Sequence, residues 1–367
     1  MLIEILETLG AAVSNTYDND SHVTGITYKF NANTLGNLTY TYDSLGRRTQ
    51  VGGSFAQTGL PGAVTSATYD AANELTNWNG TSVAYDSNGN MLSDGSNAFT
   101  WNARNQVATL NSVSLQYDGF GRRTKNLQNT SFLFDGANAV QELSGSTATG
   151  NLINGGIDEI FIRTDSTGSF TPLKDALGST IALVDATGNL ATQYFYDPFG
   201  NTTISGTNNV NEFQYTGREN EGNGLYYMRA RYYSPVLHRF INPDPARFLA
   251  DINFYRYCYD SPTNCADRFG LLGGGPEEDE EPSTPRPNTA PEDMPARLVL
   301  GNDVVDASER LDEMEEEAEA EARATDPLSK LSPAEQWQSR VVHVRRTRRS
   351  PGPSNSGNYF TERARPT

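Results

Sequence analysis

Few residues in this chain have the type and spacing to do covalent or coordination chemistry. Two cysteines, Cys258 and Cys265, enclose six residues that include Ser261-Pro262-Thr263-Asn264. Those turn-forming residues could bring the thiols together, but two small residues set into a β core is the simpler expectation. The histidines, His22, His238 and His343, come with no second cysteine pair, so no zinc ligand set and no cofactor are expected. Asp165, Asp175 and Asp185 lack the Asp-x-Asp-x-Asp-Gly run of a calcium loop, so they are expected to cap turns. No Ser-His-Asp or Cys-His set has recognisable flanks, and no glycine-rich loop opens a helix to cradle phosphate. Arg345, Arg346, Arg348 and Arg349 form a basic RRTRR cluster. Without an aromatic platform beside it, self-attraction to acidic residues is a simpler account than nucleic-acid binding. Asn-x-Ser/Thr triplets at Asn37, Asn79, Asn129 and Asn201 are what turn-rich sequence produces by chance.

The stretch that must position any such chemistry runs from Phe213 to Leu271. Tyr and Phe alternate there with small, polar or basic residues, and Pro or Gly recurs every several positions. That is the pattern of short strands joined by tight turns. Of the 18 tyrosines, seven fall between Tyr226 and Tyr259, a density that stabilises sheets through cross-strand pairs.

Upstream, the sequence repeats itself. YDSLGRRTQV at 42–51, YDAANELTNW at 69–78, YDSNGNMLSD at 85–94, WNARNQVATL at 101–110, YDGFGRRTKN at 117–126 and FDGANAVQEL at 134–143 share one form. The openings at Tyr85, Trp101 and Tyr117 are 16 residues apart. A fixed short period means one small unit used many times. In each, the aromatic ends a strand, the Asp accepts backbone N–H groups across a turn, and a following Gly or Asn tolerates positive φ. A lone hairpin cannot bury its face, so neighbours must stack on it.

These repeats resemble YD repeats. The blocks GLYYMRARYYSP, RFINPDP, INFYRY and SPTNCADRFG resemble, in order, the RHS repeat-associated core domain. The resemblance covers about residues 17–271. It implies an all-β fold, with hairpins in a curved, spiralling sheet that forms a partial shell, capped by the core. It divides the chain into a repeat region at 1–212, the core domain at 213–271 and a variable tail at 272–367. It also implies a self-cleaving aspartyl protease, in which two carboxylates share one proton and cut just after an Asp-Pro-x-Gly-Leu ending. Asp244 and Arg231 match the family's positions. Where the second carboxylate belongs, however, this chain has Tyr232, and the common variant position is Ser234. Arg268 replaces the proline before the expected cut site at Gly270 and Leu271. Asp251, Asp260 or Asp267 could supply a replacement carboxylate. With two departures in one mechanism, the expectation leans away from an enzyme.

Beyond Leu271 the character changes. Eleven of the 18 prolines lie there, with an acidic run from 277 to 326 and a basic close. This reads as largely disordered, with one helix predicted where Val304, Ala307, Leu311, Met314 and Ala318 take a and d spacing behind Asp303. The whole chain carries a net charge of −17 and 36% apolar residues. No apolar run is long enough to span a membrane, and MLIEILETLG lacks the basic start of a secretory signal. Secretion or surface display by another route is expected if the protein functions as its resemblance implies, and otherwise a cytoplasmic location. The number of repeats suggests a fragment or degenerate copy of a larger shell.

The first expected role is a structural shell or carrier element of an RHS-type polymorphic toxin or cell-surface protein, presenting a variable C-terminal segment. Its partners would be an upstream shell component and an immunity protein for the tail. The alternative is a module whose Tyr and Asn ladders bind carbohydrate or a cell-surface receptor. A toxin activity within 272–367 is disfavoured, because Pro, Glu, Ala and Arg bury no core. Limited proteolysis should leave a resistant fragment ending at about residues 268–275. A protease-resistant C-terminal half of the tail would revive the toxin reading.

Overall fold

The computed structural model describes residues 4–271 apart from residues 9, 58, 208–210 and 247–250, with side chains from Gly10 onward. The predicted helix at Val304–Ala318, the RRTRR cluster and the variable tail lie outside the described residues. Within them the architecture is all-β. Strands pair antiparallel with their neighbours in sequence, in six open sheets of five, three, two, three, ten and four strands. These span Glu4–Gly52, Ala67–Ser82, Ala84–Ser93, Phe99–Ser114, Gln116–Gly206 and Glu219–Phe240. Local contacts therefore generate nearly all the pairing.

The repeat turn explains the meander. Asp86 Oδ1 accepts the N–H groups of Asn88 and Asn90, each at 2.9 Å. Asp118 does the same for Phe120 and Arg122, at 3.0 and 2.9 Å, and Asn102 for Arg104 and Gln106. The residue three after the cap takes positive φ: Gly89 at 84°, Asn105 at 56° and Gly121 at 83°. At Gly89 a Cβ would also lie 2.6 Å from Tyr255 Oη, so two constraints demand glycine there. Asp175 and Asp185 cap turns in the same way, and Asp165 Oδ1 accepts from the Thr167 N–H. At Asp185, hydrogen bonds from Thr187 and its neighbours hold the carboxyl down to about 2. One expected unit differs. Phe134-Asp135 makes a tight hairpin in which Asp135 pairs with Asn138, while Asn126 takes over the capping role by accepting the Thr130 N–H.

The 16-residue period has a packing counterpart. Tyr85 Oη accepts from Leu75 N at 3.1 Å, Trp101 Nε1 donates to Met91 O at 2.7 Å, and Tyr117 Oη donates to Val107 O at 3.1 Å. Each aromatic thus ties its unit to the backbone ten residues earlier. Leu75, Met91 and Val107 are themselves fully buried. They form a core with Phe99, Leu110 and Leu115 from the hairpins and with Leu225, Tyr227, Tyr232, Leu237 and Ile241 from the Tyr-rich segment. Backbone bonding continues across this contact, from Met91 N to Ile241 O at 3.0 Å. A second core joins Ile26, Tyr28, Leu38 and Tyr40 of the first sheet to Leu173, Ala182 and Val184.

Cys258 and Cys265 form a disulfide, with Cα atoms 5.6 Å apart, which corrects the expectation of two unpaired residues. Both are buried beside Tyr215, Tyr226, Tyr233, Phe240 and Tyr257, so their core placement was read correctly. Positive φ at three successive residues, Cys258, Tyr259 and Asp260, folds the link back on itself. Those backbone conformations are unusual for such residues, which is why sequence favoured the unpaired reading.

Removing residues 213–271 should strip the cover from Leu75, Met91 and Val107 and leave open strand edges. The remaining 1–212 is expected to elute as aggregate in size-exclusion chromatography. A soluble monomer with unchanged β-type circular dichroism would overturn this account of the core segment as cover.

Candidate functional site

Arg231 opens the strand Arg231–Ser234, which runs between Tyr226–Met228 and Arg239–Phe240. Its side chain is buried over the Phe240 ring, with the guanidinium carbon 3.5 Å from the ring centroid. Nη2 lies 2.8 Å from Asp244 Oδ2 and 3.1 Å from Asp267 Oδ2. Nη1 donates to Phe254 O at 3.0 Å, and Nε donates to Gly270 O. The structure brings Asp244 and Arg231 together and, of the three candidate carboxylates, places Asp267 beside them. Asp251 instead pairs with Arg256, and Asp260 is an exposed partner of the same arginine. Ser234 Oγ accepts the Leu237 N–H within a turn.

Tyr232 faces the other way, because alternate residues of a strand point to opposite faces. Its hydroxyl accepts from Arg123 Nη1 at 3.1 Å, and burial pushes that phenol well above its usual range. Arg123 also pairs with Glu219 at 2.8 Å and with Glu221, and its guanidinium carbon lies 4.2 Å from the Tyr227 ring centroid. Tyr232 therefore belongs to a separate buried network and lies away from Asp244.

The two carboxylates share a cation. Burial pushes the carboxyls of Asp244 and Asp267 up, while Arg231 opposes the rise in each. Asp267 Oδ1 is further engaged by the N–H groups of Gly270 and Leu271, at 2.7 and 3.2 Å. A dyad for acid catalysis needs two carboxylates passing one proton between them. Here a single guanidinium nitrogen touches both, so the arrangement works as an ionic clamp on the chain near Gly270.

A second arginine extends the clamp. Arg229 Nη1 donates to Arg268 O at 2.6 Å, and its Nη2 lies 2.8 Å from Asp158 Oδ1. Asp158 also pairs with Arg218. Burial works to raise the Asp158 carboxyl, but Arg218 and Arg229 together hold it below the usual carboxylate value. Ala230 N donates to Phe269 O at 3.0 Å between the two arginines. Gly270 has φ 69°, and a Cβ there would lie 2.3 Å from Met228 O. The 267–271 segment is thus held through backbone and side chains against the strand that carries Arg231.

Sequence reading missed Arg123, Asp158 and Arg229. For Arg123 a signal was present: it follows Val107 by 16 residues, so it occupies the row of Leu75, Met91 and Val107, where the period calls for an apolar residue. Asp158 carried no such signal. Among the described residues, Asp18, Asp20 and His22 can offer three metal ligands within 4.8 Å of one another. There Asp18 already caps its turn and meets His22 Nδ1 at 3.0 Å.

Comparison with known proteins bears on the family and the fold. The family described as Teneurin YD-shell matches residues 3–263. A tRNA3(Ser)-specific nuclease, WapA of Bacillus spizizenii, is 30% identical over 255 residues, covering 64% of this chain and 11% of the relative. Toxin subunit YenC1 of Yersinia entomophaga is 34% identical over 103 residues, covering 27% of this chain and 11% of its own. The chain thus spans about a tenth of the length of these curated relatives. A Tc holotoxin pore of Photorhabdus luminescens superposes with a TM-score of 0.53 at 17% identity, over 77% of this chain and 19% of the other. That likeness supports the all-β shell fold.

Arg231→Met should leave two buried carboxylates without their countercharge and cost about 3–5 kcal/mol. Asp244 and Asp267 already titrate above the ordinary range, so the folded state holds their protons more readily than the unfolded chain. Losing Arg231 widens that difference. Stability lost at about pH 7 is therefore regained as the pH falls towards about 5 and the carboxyls protonate. Melting curves of the variant against the native chain at the two pH values check this. An equal deficit at both would contradict the clamp.

Proposed function

This chain belongs to the Teneurin YD-shell family, and on that premise we propose that it serves as a shell and carrier element of a polymorphic-toxin or cell-surface assembly. The observation that carries this reading is the clamp at 267–271. Arg229 and Arg231 fix the last described residues against the strand-rich cover, so whatever follows Leu271 departs from a rigid, buried anchor. A carrier needs such a junction between the structure that encloses and the segment that is presented. The division into repeats at 1–212, core at 213–271 and variable segment at 272–367 is part of the proposal. An upstream shell component would complete the enclosure, and an immunity protein would be the partner of the variable segment. Secretion or surface display by a route other than a signal peptide suits these roles, and the buried Cys258–Cys265 disulfide favours an oxidising destination.

The same reading holds that the chain does not cut itself. Tyr232 occupies the position at which the resemblance expects a second carboxylate, but it faces Arg123, while Asp267 is committed to Arg231 and to the N–H groups of Gly270 and Leu271. Arg268 in place of proline also leaves φ unfixed at the expected cut site.

Mass spectrometry of freshly expressed protein should show one intact chain, and Asp244→Asn should leave its mass pattern unchanged. Tyr232→Asp combined with Arg268→Pro restores the family pattern in sequence, but the new acid would lie beside Arg123 and away from Asp244, so the double variant is also expected to stay intact. A native chain broken after Leu271, with the break abolished by Asp244→Asn, would make the protein an active autoprotease.

A further inference from the structure

The disulfide between Cys258 and Cys265 closes a short loop that touches three separate parts of the fold. Asn264 Oδ1 accepts the Arg48 N–H at 2.6 Å, which ties the loop to the strand Arg48–Gly52 of the first sheet. The Pro262 carbonyl accepts the Tyr215 hydroxyl at 3.0 Å, within the buried aromatic core. Two residues beyond Cys265 stands Asp267, the carboxylate that holds Arg231 and the N–H groups of Gly270 and Leu271. The loop and the clamp at 267–271 are therefore one continuous stretch of backbone.

The loop is held in a backbone form that its own residues oppose. Cys258, Tyr259 and Asp260 take φ of 48°, 50° and 60°, the left-handed region, and each carries a Cβ that crowds the backbone there. Single residues visit this region, but a run of three is unfavourable unless the surroundings impose it. Two things impose it here: the aromatic core around the sulfurs and the bond that joins the ends of the loop. Cys258 is 2% and Cys265 6% exposed, whereas Tyr259 is half exposed and Asp260 is open to solvent. A solute therefore reaches the sulfurs only when the turn opens, and relief of the backbone strain favours that opening.

We infer that Cys258 and Cys265 form a thiol-exchange site that sets the grip of the clamp. Its co-substrate is a low-molecular-weight thiol. The thiol attacks one sulfur as its thiolate, forms a mixed disulfide and expels the other sulfur as a thiolate, which takes up a proton. A second thiol resolves the mixed disulfide, so two thiols end as one disulfide while Cys258 and Cys265 end as thiols. With its ends freed, the turn relaxes to right-handed or extended backbone and carries Ala266 and Asp267 with it. The Asp267 carboxylate then loses its place beside Arg231 and the N–H groups of Gly270 and Leu271. In oxidising surroundings the chain after Leu271 is held fast, and in the thiol-rich interior of a cell the hold slackens. The chain has no cysteine besides these two, so a thiol has no other disulfide to act on. The inference rests on the carrier reading, because it gives the anchor of that reading a means of release.

Hydrogen exchange of the full chain, read by mass spectrometry with and without millimolar glutathione, tests this. The mass of two added hydrogens reports reduction. Exchange at Gly270 and Leu271 should then quicken by about tenfold or more. Met91, whose N–H is bonded to Ile241 O, should keep its protection. Cys258→Ala combined with Cys265→Ala should exchange quickly at Gly270 and Leu271 in both buffers. Slow exchange there before and after confirmed reduction would overturn the inference and leave the clamp and the carrier reading standing. Fast exchange in both states would overturn the clamp, and the carrier reading with it. Loss of protection at Met91 on reduction would show a staple of the whole fold and overturn the inference, as would a disulfide that glutathione leaves intact.

Discussion

A β-hairpin leaves one face that it cannot cover, and nearly everything in this protein follows from how that face is closed. The 16-residue period lines up Leu75, Met91 and Val107 in one row, and the Tyr-rich segment lays Leu225, Tyr227, Leu237 and Ile241 over it. Apolar packing of this kind tolerates small slips, because one aliphatic contact resembles the next. The row ends at Arg123, where ion pairs with Glu219 and Glu221 replace apolar contact. A buried charge tolerates no slip, since each misplacement strands it without a partner. This charge thus adds a strict register constraint between the repeats and their cover to the backbone bond from Met91 to Ile241.

Charge is used in the same way elsewhere. Arg163 holds Glu142 and Asp165, Arg218 and Arg229 share Asp158, and Arg231 joins Asp244 to Asp267. Several of these pairs link residues distant in sequence. In a fold whose strands pair almost wholly with their immediate neighbours, such links supply the long-range specificity that the ladders cannot.

The local features could be read from the sequence because they depend on residues within one unit. An Asp, a Gly or Asn three positions later and a closing aromatic suffice to specify a turn. The structure bears this out at Asp86, Asn102 and Asp118. The exchange of roles between Asp135 and Asn126 was hidden, because both have the composition of a turn and only the pairing distinguishes them. What the sequence concealed most was closure over distance. Asp267 reaches Arg231 across 36 positions, and although it opens the ending that stands before Gly270 and Leu271, nothing there says which cation it meets. The disulfide was obscured for a related reason: three consecutive residues adopt a backbone conformation that their side chains disfavour, and only the surrounding aromatic core makes it worthwhile.

The clamp at 267–271 also has a mechanical meaning. Tension on the chain beyond Leu271 falls first on the Asp267 carboxylate, the Gly270 carbonyl and the two arginines that grip the segment. These contacts sit side by side on neighbouring backbone, so they share a load and must fail nearly together. The hairpins behind them are shielded from peeling one strand at a time, which is the easier way to pull a sheet apart. A pull from beyond Leu271 would therefore release this anchor before it unravelled the hairpins.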